Sequence, residues 1–313
     1  MNLIEIRDMY YGEKIDLSRR RALYATEVKW RKEIKRRRNN FFSGIGVYLK
    51  IWMKPKFCMI PRVDLVVTTK CSLKCRYCAN LMQYYRNSYN VDLCKIKESI
   101  QALLLGVDYV RTIYVLGGEP FLYPDLDKVL SFLIKQKKVG EICIVTNGTI
   151  LPNNKNLINL MKHKKVFLRI SDYRELSKKK YALTKLCKNE DISYTVMKQD
   201  RWYDCGNIQS RKRNDMELQK RYDECATLCR SILNGKLHYC PRAAHLYDLS
   251  GICAKGDYID LLNCSKFTIK KEIRAFLVNK KAIQACNYCD IRSEGYEENK
   301  IKPAIQTKKV LEE

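Results

Sequence analysis

Short apolar runs rich in β-branched residues recur through the middle of the chain. They occupy residues 63–69, 112–117, 142–148, 166–171 and 192–197, and each has the length and composition of a buried strand. Between them, apolar side chains follow helical spacing in three stretches that begin near Leu126, Leu157 and Leu176. Strands that alternate with helices predict an α/β fold, with a parallel sheet or barrel and helices outside it.

The interval between the first two strands is longer than the later intervals. The first two runs start about 49 residues apart, whereas later runs start about 24 to 30 residues apart. The extra length predicts a long functional loop after the first strand. This loop contains the sequence CSLKCRYC at residues 71–78.

The alternation of strands and helices stops after Lys198. Beyond it the chain is rich in cysteine, and Asn234-Gly235 predicts the turn of a hairpin. We therefore expect a basic N-terminal extension (1–60), an α/β unit (61–204), a cysteine-rich unit (205–292) and a loosely ordered polar tail (293–313).

The charge balance favours anionic partners. Lys and Arg number 60 against 34 Asp and Glu, a net charge of +26. A very basic helix is predicted at 19–38, followed by aromatic and apolar residues up to 53; this segment either packs on the main domain or rests on an anionic membrane surface. Because no apolar run reaches the roughly 18 residues of a spanning helix and the N-terminus lacks a secretory core, we expect a cytoplasmic protein with at most peripheral membrane contact.

Cys71, Cys75 and Cys78 follow directly on the first strand. In a chain this long, clustered cysteines indicate metal binding or catalysis more than disulfides. Three thiolates at this short spacing can hold an iron–sulfur cube and leave one iron without a protein ligand. A zinc ion is the alternative, but zinc sites are usually closed by a fourth Cys or His, and none follows Cys78 at a suitable spacing.

This CxxxCxxC spacing, with Tyr77 before the last cysteine, resembles the signature of the radical S-adenosylmethionine (SAM) superfamily. The resemblance extends over about residues 61–200 and implies a partial (β/α)6-type TIM barrel. It also implies a [4Fe-4S] cluster whose open iron binds SAM, and reductive cleavage of SAM to a 5′-deoxyadenosyl radical that takes a hydrogen atom from the substrate. A flavodoxin or ferredoxin reductant is implied by the resemblance alone.

Further positions match the superfamily in order. Gly117, Gly118, Glu119 and Pro120 resemble its GGEP segment, which contacts the amino group of SAM; glycines permit close backbone approach, and a carboxylate accepts from an ammonium. Asn147, Arg169 and Ser171 end the third and fourth strands, where the superfamily contacts the SAM carboxylate and ribose. The alternative for Asn147-Gly148 is a simple turn.

The cysteine-rich unit carries a second group of cysteines: Cys225, Cys229, Cys240, Cys286 and Cys289. The pattern C-x9-G-x4-C followed by CxxC resembles the twitch domain, the shorter relative of the SPASM domain, and implies a second, auxiliary [4Fe-4S] cluster. On the predicted hairpin, Cys229 and Cys240 would be near cross-strand neighbours, so Cys225 and Cys229 both remain candidates for the first ligand. A zinc ribbon is the alternative, although only one CxxC is present.

Superfamily members with such auxiliary domains include sugar-alcohol and aminocyclitol dehydrogenases, epimerases and peptide-modifying enzymes. One auxiliary cluster, a basic surface and the lack of a separate leader-binding domain favour oxidation or epimerisation of an anionic small molecule. We expect a carbohydrate or polyol, nucleotide- or phosphate-linked. A peptide-modifying maturase is the alternative. A remote alternative is a non-enzymatic binder of nucleic acid or membrane surface; no nucleic-acid partner is expected, because aromatic residues do not interleave with the basic ones.

Four residues near the cysteine-rich unit are candidates for catalysis. Arg201, Tyr203 and His245 could take the hydroxyl proton during dehydrogenation, although His or Tyr there could equally satisfy backbone groups. Cys205 could return a hydrogen atom during epimerisation, and packing is its alternative role.

Overall fold

Strands and helices alternate through the first part of the structure, a computed structural model that describes residues 58–200, 202–225, 229–254, 256–279, 281–290 and 300–307. The strands of this part are β1 (Met59–Thr68), β2 (Tyr109–Gly117), β3 (Val139–Thr146), β4 (Val166–Asp172) and β5 (Tyr194–Lys198). The helices are α1 (Leu93–Gly106), α2 (Leu126–Ile134), α3 (Lys155–Met161) and α4 (Lys180–Asn189). The five predicted strands and the three predicted helices are confirmed, and α1 is an additional helix within the long first interval.

The cysteine-rich part is smaller and mixed. Its strands are β6 (Trp202–Tyr203), β7 (Arg230–Leu233), β8 (Lys236–His238), β9 (Tyr258–Asp260) and β10 (Lys300–Ile301). Its helices are α5 (Asp215–Asp223), α6 (Pro241–Ser250) and α7 (Ile269–Leu277). The predicted hairpin is confirmed, because β7 and β8 pair antiparallel around Asn234-Gly235, with both residues at positive φ.

Eight strands of the described chain form one sheet in the order β5-β4-β3-β2-β1-β7-β8-β9. Strands β1 to β5 are parallel, and β7 joins the free edge of β1, also in parallel. The α/β class and partial-barrel character are confirmed. The sixth parallel strand comes from the cysteine-rich part and lies beside β1 rather than β5, because β6 is short and pairs with β10 instead. The expected boundary at residue 205 therefore does not divide the sheet.

The core lies between the sheet and its helices. The predicted apolar face of α2 is fully buried, with Leu126, Val129, Leu130 and Leu133 at most 1% exposed. Burial of such a side chain contributes about 1.5–3 kcal/mol. Asp92 starts α1 by accepting from the Lys95 backbone N–H at 3.0 Å. This packing fixes the strand ends on which the site is built.

Several expectations fall outside the described residues. The basic helix at 19–38, the segment up to residue 53 and most of the tail from 293 belong to ranges on which the structure gives no description. Membrane contact through residues 19–53 therefore stays a prediction. Within the described ranges, no helix is long and apolar enough to cross a membrane.

Candidate active site at the carboxyl ends of the strands

The first cysteine group lies in a loop with a well-defined backbone. Thr69 at the end of β1 donates to the Tyr89 carbonyl at 2.9 Å, and the Leu81 N–H donates to the Cys78 carbonyl at 2.9 Å. Burial, with a smaller contribution from neighbouring thiolates of the group, raises the pKa of Cys71 and Cys75 to about 12. Three thiolates in this loop therefore need a cation to balance their charge, and the irons of a cluster supply it.

Two glycines bring the end of β2 against this loop. The Gly118 N–H donates to the Thr68 carbonyl at 2.9 Å, and the Glu119 N–H donates to the Lys70 carbonyl at 2.8 Å. A Cβ on Gly118 would lie 2.8 Å from the Cβ of Cys71 and would overlap the Lys70 carbonyl. Only glycine therefore permits this approach, as expected because glycine allows two backbones to come close together.

Glu119 is fully buried at the junction of β2 and β3. Its carboxylate accepts from the Thr146 hydroxyl at 2.8 Å, the Asn147 N–H at 2.8 Å and the Phe121 N–H at 3.2 Å. Burial raises the pKa of Glu119 to about 7, and the three donors partly offset this effect. A carboxylate has about four acceptor positions, so one remains for a ligand ammonium.

Asn147 follows β3 and contacts the first cysteine loop, and Arg169 belongs to β4. The Asn147 side-chain amide donates to the Ser72 hydroxyl at 3.0 Å and to the Cys71 sulfur at 3.7 Å. The Nε of Arg169 is buried without a hydrogen-bond partner among the described residues. A buried donor of this kind favours an acceptor such as the carboxylate of bound SAM. Ser171 is buried at the end of β4, and its carbonyl accepts from the Ser177 hydroxyl at 3.1 Å.

The second cysteine group contains four neighbouring thiols. Burial raises the pKa of Cys240, and the nearby thiolates of Cys225, Cys286 and Cys289 raise it further. Cys229, predicted with them, lies apart: it hydrogen bonds to Asp64 of β1 and has Arg62 close by. The reason is that β7 pairs with β1, which directs Cys229 towards that strand.

Cys240 also caps α6. Its sulfur accepts from the Ala243 N–H at 3.3 Å, at the helix end where backbone N–H groups favour negative charge. A zinc ion needs sulfur donors about 2.3 Å from one point. Among the described residues, at both cysteine groups alike, no three His, Cys, Asp or Glu side chains are arranged as a site for a single metal ion.

Three buried or half-buried arginines surround the second group. Arg213 donates to the Cys286 carbonyl at 2.8 Å, Arg221 to the Cys289 carbonyl at 3.0 Å and Arg242 to the Tyr288 carbonyl at 2.9 Å. One Nη of Arg221 and one of Arg242 are buried without acceptors among the described residues. A buried unsatisfied donor costs about 1–3 kcal/mol. An anionic iron–sulfur cluster fits this environment, because its sulfurs are acceptors and its charge is opposite.

Cys205 interacts electrostatically with one thiol of each cysteine group. Burial raises its pKa to about 12, and the charges of Cys289, Arg242, Asp204 and Cys78 also act on it. Its carbonyl accepts from the Asp290 N–H at 3.1 Å, and the Asp290 carboxylate is paired with Arg211 and Arg213, both at 2.8 Å. The loop that carries Cys205 is therefore held against the CxxC turn.

The other catalytic candidates have different surroundings. Arg201 lies outside the described residues, and Tyr203 is half-buried in β6, paired with β10. His245 is fully buried, and its Nδ1 hydrogen bonds to the Tyr85 hydroxyl at 2.9 Å. Burial lowers its pKa to about 4. Because no atom of His245 is open to a substrate, its surroundings argue against the predicted role as a base.

Some site residues carried no signal in the sequence. Arg213, Arg221 and Arg242 belong to a chain with many basic residues, so nothing marks these three before the fold is known. Gln306 is 231 positions from Cys75, yet its side chain donates to that sulfur at 3.3 Å. Only the tertiary structure brings these residues to the cysteines.

Comparison with known proteins gives one family match and several curated relatives. The model of the radical SAM superfamily matches residues 65–171. The GTP 3′,8-cyclase of Clostridium acetobutylicum is 33% identical over 95 residues, which is 30% of this chain and 29% of that protein. A probable GTP 3′,8-cyclase of Methanococcus maripaludis is 35% identical over 88 residues, 28% of each protein. The chain thus matches less than a third of the length of these curated relatives.

Similar solved structures include proteins with bound AdoMet. BtrN in complex with AdoMet and 2-DOIA aligns over 76% of this chain and 97% of its own, with 14% identity and a TM-score of 0.45. Native anSMEcpe with bound AdoMet and Cp18Cys peptide aligns over 44% and 42%, with 20% identity and a TM-score of 0.34. The match of the superfamily model coincides with the described strand ends and with Cys71, Cys75 and Cys78. Residues 65–171 therefore form a radical SAM domain, whose cofactors are a [4Fe-4S] cluster and SAM.

Proposed function

We propose that this radical SAM enzyme carries a second [4Fe-4S] cluster and oxidises or epimerises an anionic, carbohydrate- or polyol-type small molecule. The observation that supports it best is the arrangement of thiols: three in the SAM loop, four in the cysteine-rich part, and Cys205, which interacts electrostatically with one thiol of each group. This arrangement provides a place to start radical chemistry and a separate place to receive an electron.

The first site holds and orients SAM. Cys71, Cys75 and Cys78 would ligate its cluster, and the bound cofactor would supply a radical that removes a hydrogen atom from the substrate. Glu119 would accept from the SAM ammonium through its remaining acceptor position. Arg169 would pair with the SAM carboxylate, which would satisfy its buried Nε. Asn147 holds the loop itself through Ser72.

The second site would hold the auxiliary cluster through Cys225, Cys240, Cys286 and Cys289. The contact of Cys229 with Asp64 supports leaving it out of this set. Arg213, Arg221 and Arg242 would offset the negative charge of the cluster, which favours its reduced form. In an oxidation, the substrate radical would lose one proton to a base and one electron to this cluster, and so become a carbonyl.

Cys205 supports epimerisation as the second form of this reaction. Its S–H bond would break to give a hydrogen atom to the substrate radical, and a C–H bond would form on the opposite face. The resulting thiyl radical would take one electron from the auxiliary cluster and one proton to restore the thiol. The position of Cys205 near both Cys78 and Cys289 favours this role.

The substrate class is inferred from charge and from the relatives. The net charge of +26 favours phosphorylated molecules. The curated relatives are named for a reaction of GTP, but their similarity is confined to about a third of this chain. Within the proposed class, nucleotide-linked sugars are therefore the first to test. We propose a flavodoxin or ferredoxin as reductant.

Release of 5′-deoxyadenosine from SAM tests the proposed substrate class. The reconstituted enzyme would be incubated without oxygen with dithionite, SAM and one of GTP, a UDP-sugar, a hexose phosphate or an unphosphorylated polyol. We expect phosphorylated compounds to increase the release, and the product to be oxidised or inverted. Stimulation by peptides alone would contradict the proposal and favour the maturase alternative.

Deuterium oxide separates the two reaction forms. If Cys205 donates the hydrogen atom, the inverted product acquires deuterium from solvent, and Cys205→Ala stops inversion while 5′-deoxyadenosine is still formed. Inversion by the Cys205→Ala variant would eliminate this role. The matched control is Cys94→Ala, which removes an exposed thiol of α1.

A further inference from the structure

The segment at 304–307, here called the clasp, lies across the SAM-cluster loop. The Arg76 N–H donates to the Ile305 carbonyl at 2.7 Å, and the Thr307 N–H donates to the Lys74 carbonyl at 2.7 Å. Cys75 and Gln306 face each other in an isolated antiparallel bridge. The clasp therefore adds a short strand to the middle of the cysteine loop.

The same segment is held on its other side. Just before the clasp, β10 pairs antiparallel with β6, which precedes Cys205. Ala304, between β10 and the bridge, is 2% exposed. These contacts hold the backbone of the clasp in place, which fixes the position of the Gln306 Cα.

Both the oxygen and the nitrogen of the Gln306 side-chain amide hydrogen bond to the cysteine loop. Its Oε1 accepts from the Lys74 N–H at 2.8 Å, and its Nε2 donates to the Cys75 sulfur at 3.3 Å. The other N–H of Nε2 donates to the Ala304 carbonyl at 2.7 Å. Because one end must accept and the other must donate, neither glutamate nor leucine can replace this pair of contacts.

An N–H that donates to a cluster-bound sulfur changes the energy of the cluster. Hydrogen bonds to the sulfurs are among the factors that set reduction potential, because they stabilise the form with more negative charge. Groups outside the ligands also hold the ligands in place. At the first site, Gln306 supplies such a bond to Cys75, and Asn147 supplies a longer one to Cys71.

We propose that Gln306 is a positioning residue for the SAM-binding cluster: it holds the cysteine loop at Lys74 and makes reduction of the cluster easier through Cys75. This role rests on the radical SAM domain and not on the auxiliary cluster. Failure of the auxiliary-cluster proposal would therefore leave it unaffected.

A redox titration tests the role. The cluster at Cys71, Cys75 and Cys78 is identified by electron paramagnetic resonance as the signal that changes when SAM is added, which separates it from any other cluster. Its midpoint potential is measured in the wild type, Gln306→Leu and Gln306→Glu, with Gln101→Leu as a control for an exposed glutamine of α1.

We expect the potential to become more negative in Gln306→Leu, by about 40 mV for a fivefold change in a one-electron equilibrium. Gln306→Glu should shift it further in the same direction, because a carboxylate would face the thiolate. Gln101→Leu should match the wild type. Potentials of both Gln306 variants equal to that of the wild type would overturn the proposal, even if iron content fell, since that result would show a purely structural role.

Discussion

The two cysteine groups of this protein differ in the number of thiols and in their surroundings. The first has Cys71, Cys75 and Cys78 in a loop beside two glycines, with amide donors from Asn147 and Gln306. The second has four thiols with three arginines beside them. Three thiols leave one iron of a cube for a cofactor, whereas four close it. Under the proposed function, the first group would bind a reacting molecule and the second would accept an electron.

Removing a thiol from the first group should have the largest effect. Cys71→Ala, Cys75→Ala or Cys78→Ala each leave too few ligands, so we expect 5′-deoxyadenosine release to fall to background and about four of about eight irons to be lost. Iron analysis and product chromatography measure both. Cys94→Ala should retain full activity because that thiol is exposed on α1. Retained cleavage of SAM in Cys75→Ala would refute the assignment of the first group.

Cys225 and Cys229 should differ in their effect on the second cysteine group. Cys225→Ala should lose about four irons while the SAM-responsive signal remains, because only the second group loses a ligand. Cys229→Ala should keep all of its iron, since that thiol contacts Asp64 instead. The reverse pattern would show that the hairpin neighbour Cys229, and not Cys225, completes the second group.

Gly118→Ala should weaken the first site and leave the second intact. The new Cβ would meet the Lys70 carbonyl and lie 2.8 Å from the Cβ of Cys71, so the loop must move. Overpacking of this kind costs about 1–3 kcal/mol of stability. We expect weaker SAM binding by calorimetry with unchanged auxiliary iron. Gly251→Ala is the control for backbone strain alone, because Gly251 has positive φ but nothing within 4 Å of its Cβ position.

Acid should destabilise the fold through the buried histidines, one of which joins α6 to the segment after the first cysteine loop. His245 of α6 hydrogen bonds to Tyr85, which follows the first cysteine loop, and burial lowers the pKa of His245 to about 4 and that of His238 to about 3. Because these folded-state values lie below the unfolded value, the unfolded chain binds more protons as pH falls below about 6.5, and stability is lost there.

The expected loss is roughly 2 kcal/mol for each histidine between pH 6.5 and pH 5. Denaturant unfolding of the reconstituted protein at both pH values measures it. His245→Gln should lose less unfolding free energy over this pH range than the wild type. His163→Gln, which replaces a half-buried histidine, should lose as much as the wild type. An unfolding free energy that stays constant from pH 6.5 to pH 5 would contradict this prediction.

The parallel strands could be predicted from the sequence because they depend on local pattern, and the same local order places the first cysteine group directly after β1. Strand β1 and CSLKCRYC are adjacent in the chain, and the glycines at 117 and 118 follow β2 directly. Distant contacts could not be predicted. Cys229 was separated from its neighbours by the pairing of β7 with β1, and Gln306 reaches Cys75 only through the antiparallel bridge. His245 shows the same limit, since its full burial depends on Tyr85 and the packing of α6.

Spectroscopy with and without SAM shows whether one chain holds two clusters of different kinds. The anaerobically reconstituted protein would be analysed for iron and sulfide, and its reduced clusters recorded by electron paramagnetic resonance before and after SAM is added. We predict about eight irons per chain and two signals, of which only one changes with SAM. About four irons with a single SAM-responsive signal would contradict the presence of two clusters, because the arginine-rich cysteine group would then hold no cluster.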